Sequence, residues 1–399
     1  MKIPVKEKLF TKEFIILNII SFLVYANFAV FFNFYLYLDT LPINPIFFGL
    51  LISVFSIMAL VLRPIISPFF TTGNARRWLF ISTVVVIISL LAYNISHDFW
   101  SMLIVRIIHG TAHVVLATAL TVCLVNVIPK SRSGQAFGLI TVIMLLPFGV
   151  IPPLLSPMIK YLGGFTAVLS LTAAIMLLIF PLALLLKRET ISNQGSPKQK
   201  IGGRELVQNL KRPQILFTLL IMLMLYSGYA PVFFFIEGFG DNINITNPGI
   251  FFTITTACEI GVRVVAGSFF DKTRKELVVG LSLLAVAGGY YALAYTSGPL
   301  MYYVLAIFLG LGWGVVMPVL NGLLFDVSPE KLRGANTNLG LSMFQAGYFF
   351  GPLIGGVILS GWNYTILFYF CSILTFIGLL MVPFIYKTTS ENTATDLVP

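Results

Sequence analysis

Apolar blocks separated by short polar turns run along almost the whole chain. Most blocks hold about 20 residues or more, and a helix of that length crosses a hydrocarbon layer roughly 30 Å thick. The pattern therefore predicts an all-α membrane protein with twelve transmembrane helices. The predicted spans are 14–38, 46–70, 78–97, 99–128, 134–161, 164–187, 213–240, 247–271, 275–297, 299–327, 334–360 and 363–387.

One polar segment, residues 188–212, interrupts this pattern between the sixth and seventh spans. It is rich in Gly, Ser and Lys, a composition that does not bury a core and that is typical of a linker. We expect an N-terminal six-helix bundle over 1–187, a cytoplasmic linker over 188–212, a C-terminal six-helix bundle over 213–387 and a cytoplasmic tail over 388–399.

Composition and charge placement fit a membrane protein. Hydrophobic residues make up 58% of the chain and charged residues 10%, whereas soluble domains carry about 25% charged residues. If the N-terminus is inside, 21 of the 25 basic residues fall in inner segments and one, Lys160, falls in an outer loop. The positive-inside rule then places both termini in the cytoplasm of a multi-pass protein of the cell membrane. This topology accounts for the net charge of +10, so we expect a lipid bilayer and no nucleic acid as partner.

The residue types that support catalysis or metal binding are sparse. Cys123, Cys258 and Cys371 lie in apolar segments without a close-spaced pair, which argues against a disulfide framework or a zinc site. Glycine-rich phosphate loops, H-E-x-x-H and nucleophile-elbow motifs are absent from the sequence. We expect no metal, no cofactor and no catalytic residue, and therefore not an enzyme.

The two halves of the chain repeat each other at an offset of 200 residues. RPIISPFFTTGNA, residues 63–75, matches RVVAGSFFDKTRK, residues 263–275, in its arginine, its Phe-Phe pair and its polar turn. Gly110 and Gly310, and Pro152 and Pro352, match at the same offset. An even number of helices per copy gives both copies the same orientation, as in transporters built from parallel repeats about an axis along the membrane normal. We expect a solvated cavity between the halves.

Three local motifs resemble those of a known family. A loop motif of the form G-x-L-x-D-R-x-G-R-R follows the eighth span, with Gly267, Phe269, Asp271, Lys272 and Lys275 in place. Its first copy follows the second span and keeps Arg76 and Arg77, while Ser67, Thr71 and Thr72 replace the other motif residues. The fourth span contains R-x-x-x-G from Arg106 to Gly110.

The third motif, G-x-x-x-G-P-x-x-G-G, lies in the eleventh span and includes Gly351 and Pro352. Together with the helix count, the linker and the repeat, these motifs make the chain similar to the major facilitator superfamily over nearly its whole length. The resemblance implies the fold of that family and leans toward its efflux branch, which exchanges drugs or metabolites for protons. In exporters of the family the third motif sits in the fifth helix, where this chain has Pro147, Gly149, Pro152 and Pro153.

Ionisable residues inside membrane helices are candidates for function, because placing a charge there costs free energy unless the residue faces a cavity or a partner. Arg106, His109 and His113 share one stripe of the fourth helix, which lines the central cavity in the family. We interpret the stripe as a binding or proton-relay surface, since histidine titrates near neutral pH. The alternative is that the histidines only pack against neighbouring carbonyls.

Glu259 is the only carboxylate that we place inside a span, four residues before Arg263 on the eighth helix. This spacing allows an ion pair within the helix. Either the pair is purely structural, or Glu259 gains and loses the proton that drives transport. Many drug antiporters of the family carry an acid in the first helix, where this chain has none.

From these considerations we predict three sets of site residues. The substrate cavity is expected to be lined by Arg106, His109, His113, Tyr25, Asn27, Tyr226, Tyr229, Trp313, Asn321 and Gln345. Proton coupling is assigned to Glu259 and His113. Gating is assigned to Arg63, Arg76, Arg77, Arg263, Asp271, Lys272, Gly267, Gly351 and Pro352.

These features predict a secondary active transporter that acts as a monomer. We expect it to move a small organic solute, such as a metabolite, chelator or drug, out of the cell by alternating access with protons as the coupling ion. The balance of charged groups favours a neutral, zwitterionic or anionic solute. The alternatives are proton-coupled uptake or facilitated diffusion of a sugar or organic anion, and a membrane sensor that does not transport.

Overall fold

The computed structural model of the chain describes residues 9–129, 132–186, 203–270 and 273–385, and within these ranges it contains helices and turns but no strand. It confirms the predicted all-α membrane fold with two six-helix halves. The membrane helices are α1 (Lys12–Asp39), α2 (Pro45–Phe69), α3 (Thr72–Ile95), α4 (Phe99–Val127), α5 (Ser133–Val150, continued by Pro152–Leu162), α6 (Phe165–Leu184), α7 (Pro213–Asn242), α8 (Ile250–Phe270), α9 (Lys275–Leu293), α10 (Pro299–Val327), α11 (Glu330–Gly361) and α12 (Tyr364–Ile385).

Eleven helical stretches in the described residues are long and apolar enough to cross a membrane. The remaining helix of the twelve is α8, which has 21 residues and occupies the place in the second half that α2 has in the first. Because the helices alternate in direction, α1 begins on the same side of the membrane as α12 ends. We call this the basic side, since most basic residues fall there, and the other side the far side.

Two predicted helix boundaries are wrong. The third helix begins at Thr72, not at residue 78, because Thr71 and Asn74 form a capping box that satisfies the first free N–H groups. The fifth helix is not continuous over 134–161 but breaks at Ile151, where Pro152 and Pro153 follow. Proline lacks an N–H donor and its ring clashes with the preceding turn, so the helix restarts at Pro152.

Part of the predicted linker is structured. Gly203–Leu210, which we call the linker helix, contacts the start of α11. Asn209 is buried there and donates from Nδ2 to Asn336 Oδ1 at 2.7 Å, and Asn336 in turn donates to Ser328 Oγ at 2.7 Å. Lys331 Nζ also lies 2.9 Å from Glu205 Oε2. The sequence composition did not predict this helix, because these contacts with α11 hold it in place.

The most extensive contacts between the halves are made by two pairs of helices, α2 with α11 and α5 with α8. The repeat relates these pairs to each other, since α2 corresponds to α8 and α5 to α11. Apolar side chains such as Ile88 and Leu281 are exposed on the outer faces, where lipid replaces water as the surrounding solvent. The inner faces of α1, α4, α7 and α10 enclose the centre of the molecule.

Candidate functional site: a cavity between the two halves

A cavity with a volume of about 1120 Å³ lies between the halves. Leu9, Phe10 and Gln135 line it where α1 and α5 begin on the basic side. Phe28 and Phe148 line it at its inner end. Because these inner residues lie near the middle of their helices, the cavity extends from the basic side to about the centre of the membrane.

Three phenylalanine rings close the inner end of the cavity, and we call them the aromatic plug. Phe28 and Phe148 come from the first half and Phe233 from the second. Their ring centroids are 5.8 Å apart for Phe28 and Phe148, 6.1 Å for Phe28 and Phe233 and 5.4 Å for Phe148 and Phe233. These are contact distances for packed aromatic rings, so the plug separates the cavity from the far side.

Two close backbone approaches seal the far side beyond the plug, and the repeat relates them. A Cβ placed on Gly49 of α2 would lie 2.5 Å from the Pro352 oxygen of α11. A Cβ placed on Gly249, next to α8, would run into the backbone of Pro152 in α5. Gly49 corresponds to Gly249, and Pro152 to Pro352, at the offset of 200. Both approaches require a residue without a side chain. Neither glycine was among the predicted site residues.

Three hydrogen bonds that join the halves also lie on the far side. Asn247 Nδ2 donates to the Pro153 oxygen at 2.9 Å, and Thr253 Oγ1 donates to the Gly149 oxygen at 2.7 Å. The third runs from Ser156 Oγ in α5 to Glu237 Oε1 in α7, at 2.9 Å. The halves are therefore joined on the far side and separated by the cavity on the basic side.

Glu237 corrects our prediction that Glu259 is the only carboxylate inside a span. It lies in α7 with 1% of its surface exposed, and its Oε2 has no hydrogen-bond partner among the described residues. The signal was present in the sequence, since position 237 falls inside the predicted span 213–240. The protein thus has one buried carboxylate in the cavity and another in the contact that closes the far side.

Six of the ten predicted cavity residues line the cavity. They are Tyr25, His113, Tyr226, Tyr229, Asn321 and Gln345. The lining residues do not include Arg106, His109, Asn27 or Trp313, all of which are described and buried. Whether any of these residues binds a solute stays a prediction, but the structure divides the set into lining residues and residues that pack behind them.

Arg106 lies inside the first half, against α2. Its Nε donates to the Leu51 oxygen and its Nη2 to the Ile52 oxygen, both at 2.9 Å. Its guanidinium carbon lies 4.6 Å from the ring centre of Phe34 and 4.8 Å from that of Phe31. Backbone carbonyls with spare lone pairs and aromatic faces thus surround the charge, which lets a cation remain where only 1% of the residue is exposed.

A chain of polar contacts connects Arg106 to the cavity. Arg106 Nη1 donates to Tyr93 Oη at 3.5 Å, and Tyr93 Oη lies 3.3 Å from His109 Nδ1. Asn27 Nδ2 lies 3.1 Å from His109 Nε2 and 3.5 Å from His113 Nδ1. With the Asn27 amide nitrogen assigned to this side, it donates and both facing imidazole nitrogens accept, as in neutral His109 and His113. Only His113, at the end of the chain, lines the cavity.

Trp313 supports the cavity wall from behind. Its Nε1 donates to Tyr290 Oη at 3.0 Å, and its ring centre lies 4.5 Å from that of Tyr229, which lines the cavity. Trp313 itself is fully buried. Its indole N–H therefore already has a partner within the second half, and its contribution to the lining is the position of Tyr229.

Glu259 lines the cavity from α8, where its neighbour Arg263 also lies. Arg263 Nη2 is 3.4 Å from Glu259 Oε2, the longest of the three ion pairs in the described residues. Glu259 has 2% of its surface exposed, and the Nε of Arg263 is buried with no hydrogen-bond partner in the described part of the chain. The predicted pair therefore exists, and it faces the cavity from a helix that also contacts the first half.

The predicted gating residues fall into separate places. Arg63 and Arg263 line the cavity, and Pro352 lies at the far-side closure. Gly351 approaches α7, where an added Cβ would lie 2.6 Å from the Ser227 oxygen. Gly267 belongs to α8, but Asp271 and Lys272 lie outside the described residues.

Arg76 and Arg77 lie on a second cavity within the first half, on the basic side. Arg76 donates to the oxygens of Leu186 at 3.0 Å and Leu184 at 3.2 Å, at the end of α6. A cation at this position satisfies free carbonyls at a helix C-terminus. These contacts join α3 to α6 in one half, and neither arginine lines the cavity between the halves.

The chain resembles several known proteins. A family model described as Major Facilitator Superfamily matches residues 15–340 and again residues 242–397. The multidrug resistance protein MdtG of Escherichia coli strain UMN026 is 24% identical over 296 residues, which cover 71% of this chain and 70% of that protein. The protein of the same name from Escherichia coli strain SMS-3-5 matches over the same shares of both chains.

The crystal structure of the nucleoside transporter NupG has the same fold. It matches with a TM-score of 0.74 at 15% identity, over 95% of this chain and 100% of that one. A mutant of NupG matches with a TM-score of 0.71 over 94% of this chain and 100% of that one. At this level of sequence identity, the similarity shows a shared arrangement of helices and nothing about the solute.

Proposed function

Because this chain belongs to the Major Facilitator Superfamily, we propose that it exports a small organic solute by alternating access, in exchange for protons. It is a multi-pass membrane protein of a transporter family. The observation that carries the proposal is the cavity between the halves, which contains Glu259 and is closed on the far side. We further propose that the protein acts as a monomer in the cell membrane with its basic side in the cytoplasm.

In this mechanism the solute enters from the basic side and binds among the aromatic and polar side chains of the cavity. The halves then rock, so that the far-side contacts break and the cavity opens there. The similarity to a protein called a multidrug resistance protein supports export as the direction. Glu259 would bind a proton on one side and release it on the other, since it alone among the described lining residues is a carboxylate.

A specific observation favours uptake with a proton as the second candidate. Exchange requires the solute and the proton to compete, whereas co-transport requires them to bind together. Protonation of Glu259 would release Arg263 from its ion pair and raise the positive charge of the cavity. A negatively charged solute would then bind more tightly with the proton than without it.

Flux measurements in liposomes test the function and separate the two directions. A thermal-shift screen of metabolites and drugs on the purified protein first identifies a solute that binds. The protein is then reconstituted and a pH gradient is imposed. Export by exchange predicts that the solute accumulates on the side with the higher proton concentration. Accumulation on the opposite side would establish co-transport, and the absence of any solute movement would refute transport.

A further inference from the structure

Arg63 is a charged residue that lines the cavity. It lies six residues before the end of α2, roughly 9 Å into the helix at 1.5 Å per residue. Among the described residues, Arg63 forms none of the three ion pairs and makes no hydrogen bond through its side chain. Placing a cation at this depth of the membrane costs free energy unless a partner offsets its charge.

The repeat places a second arginine opposite the first. Arg263 corresponds to Arg63 at the offset of 200 and lines the same cavity from the other half. Glu259 pairs with Nη2 of the Arg263 guanidinium, whereas the buried Nε of Arg263 has no hydrogen-bond partner among the described residues. With His113 neutral, two arginines and one carboxylate give the described lining residues a net formal charge of +1.

Aromatic side chains form part of the cavity lining in both halves. Tyr25 and Phe55 line the cavity from the first half, and Tyr226 and Phe344 from the second. Tyr226 and Phe344 pack edge to face, with ring centres 5.0 Å apart. Such surfaces bury flat apolar groups and leave the polar contacts to fix the orientation of a ligand.

We propose that Arg63 binds the carboxylate of the transported solute, and that the solute is a singly charged organic acid with an aromatic or similarly flat body. This inference rests on the proposed transport function, since it takes the cavity to be the transport site. A negatively charged solute agrees with the second candidate, uptake with a proton, rather than with exchange. A guanidinium binds a carboxylate through two parallel hydrogen bonds, a geometry that lysine does not reproduce. One negative charge offsets the net charge of the lining.

The site also bears on the movement of the halves. Arg63 and Arg263 lie on α2 and α8, which approach each other when the basic side closes around the pseudo-twofold axis. Two like charges resist that approach, whereas an anion held between them attracts both. The bound acid therefore favours closure of the basic side.

Two probes of the same shape test the charge preference. We would measure the affinity of the purified protein for 1-naphthoate, a monoanion, and for 1-naphthamide, its neutral counterpart. Charge-assisted hydrogen bonds predict that the acid binds about ten- to hundred-fold more tightly. In Arg63→Gln this preference should disappear while the affinity for the amide is kept. Arg63→Lys should keep part of it, and Arg77→Gln, whose arginine lies outside this cavity, should keep all of it.

The inference is overturned if wild-type protein binds acid and amide equally, if it binds no naphthoate at millimolar concentration, or if Arg63→Gln keeps the preference. Thermal melting of each variant shows whether it is folded, and the lysine variant provides a folded reference if the glutamine variant is not. If a solute from the screen is transported but naphthoate is not preferred, the proposed function stands and the acid site does not.

Discussion

Arg106 shows how one helix face serves two purposes along its length. Arg106, His109 and His113 share a stripe of α4, yet only His113 reaches the cavity. The stripe meets α2 and α1 where Arg106 and His109 lie, so those side chains bind carbonyls, Tyr93 and Asn27. The position of Arg106 therefore favours a structural role in the first half.

Arg106→Ala should therefore destabilise the protein. The change removes two charge-assisted hydrogen bonds to α2 and leaves a void among three aromatic rings. We expect a loss of about 3 kcal/mol in stability, seen as a lower melting temperature in detergent. Arg77→Ala is the control, because Arg77 is exposed and should change stability by less than about 0.5 kcal/mol. Equal melting of both variants and the wild type would show that Arg106 is not structural.

Ser156→Ala should favour opening of the far side. The serine makes the hydrogen bond to Glu237 that joins α5 to α7. Its loss removes a hydrogen bond from a buried carboxylate, which costs about 1–3 kcal/mol in the closed state. Spin labels on cysteines introduced at positions 42 and 242, one in each half on the far side, should report a larger population of long distances.

A second substitution isolates this contact. In a Glu237→Ala background the carboxylate is already absent, so Ser156→Ala should change the distances little further. Full additivity of the two substitutions would mean that the serine acts through some other contact.

At the scale of helices, the closure of the far side depends on two equivalent crossings. Gly49 meets Pro352 between α2 and α11, and Gly249 meets Pro152 between α8 and α5. The break in α5 at Ile151 brings the Pro152 backbone against α8. The duplication thus repeated a contact between halves, and each glycine approaches a proline of the other copy.

Gly49→Ala should open the far side. The added methyl would lie 2.5 Å from the Pro352 oxygen and 2.7 Å from the Leu353 oxygen, so the backbones must separate. Overpacking of this kind costs about 1–3 kcal/mol, and here the cost falls only on the closed state. The same spin labels should report longer distances. Gly288→Ala is the matched control in α9, because nothing lies within 4 Å of its added Cβ. A closed far side in Gly49→Ala would contradict the assigned contact.

The helices were predictable from the sequence because each apolar run is long enough to decide the structure by itself. The start of α3 and the linker helix were not, since they depend on a cap at Thr71 and on the contact between Asn209 and Asn336. The repeat predicted the cavity, and six of the ten residues expected to line it, including Tyr226, do so. The burial of Arg106 was not predictable, because the periodicity of α4 defines a face but not the neighbour that each turn of that face meets.

At the scale of the whole molecule, the asymmetry between the two sides defines the state of the transporter. The aromatic plug, the glycine crossings and the three hydrogen bonds all join the halves toward the far side. The cavity separates the halves on the basic side. Opening the far side requires all these contacts to break together, which makes an intermediate with both sides open unfavourable. That exclusion is the requirement for alternating access.

The central claim is that Glu259 couples solute movement to protons. Glu259→Gln removes the charge while keeping the size and the polar contact to Arg263. A coupling role predicts that the variant folds, binds solute and exchanges it across the membrane, but does not concentrate it. A purely structural pair predicts early melting instead, because Arg263 loses its counter-charge. Glu330→Gln, an exposed position, is the control.

The deciding measurement pairs two assays on the same liposomes, exchange of labelled solute without a gradient and accumulation driven by a pH gradient. We expect Glu259→Gln to retain exchange close to the wild-type rate and to lose accumulation completely. Accumulation at the wild-type level in Glu259→Gln would contradict the account and would leave His113, the other titratable residue assigned to coupling, as the proton carrier.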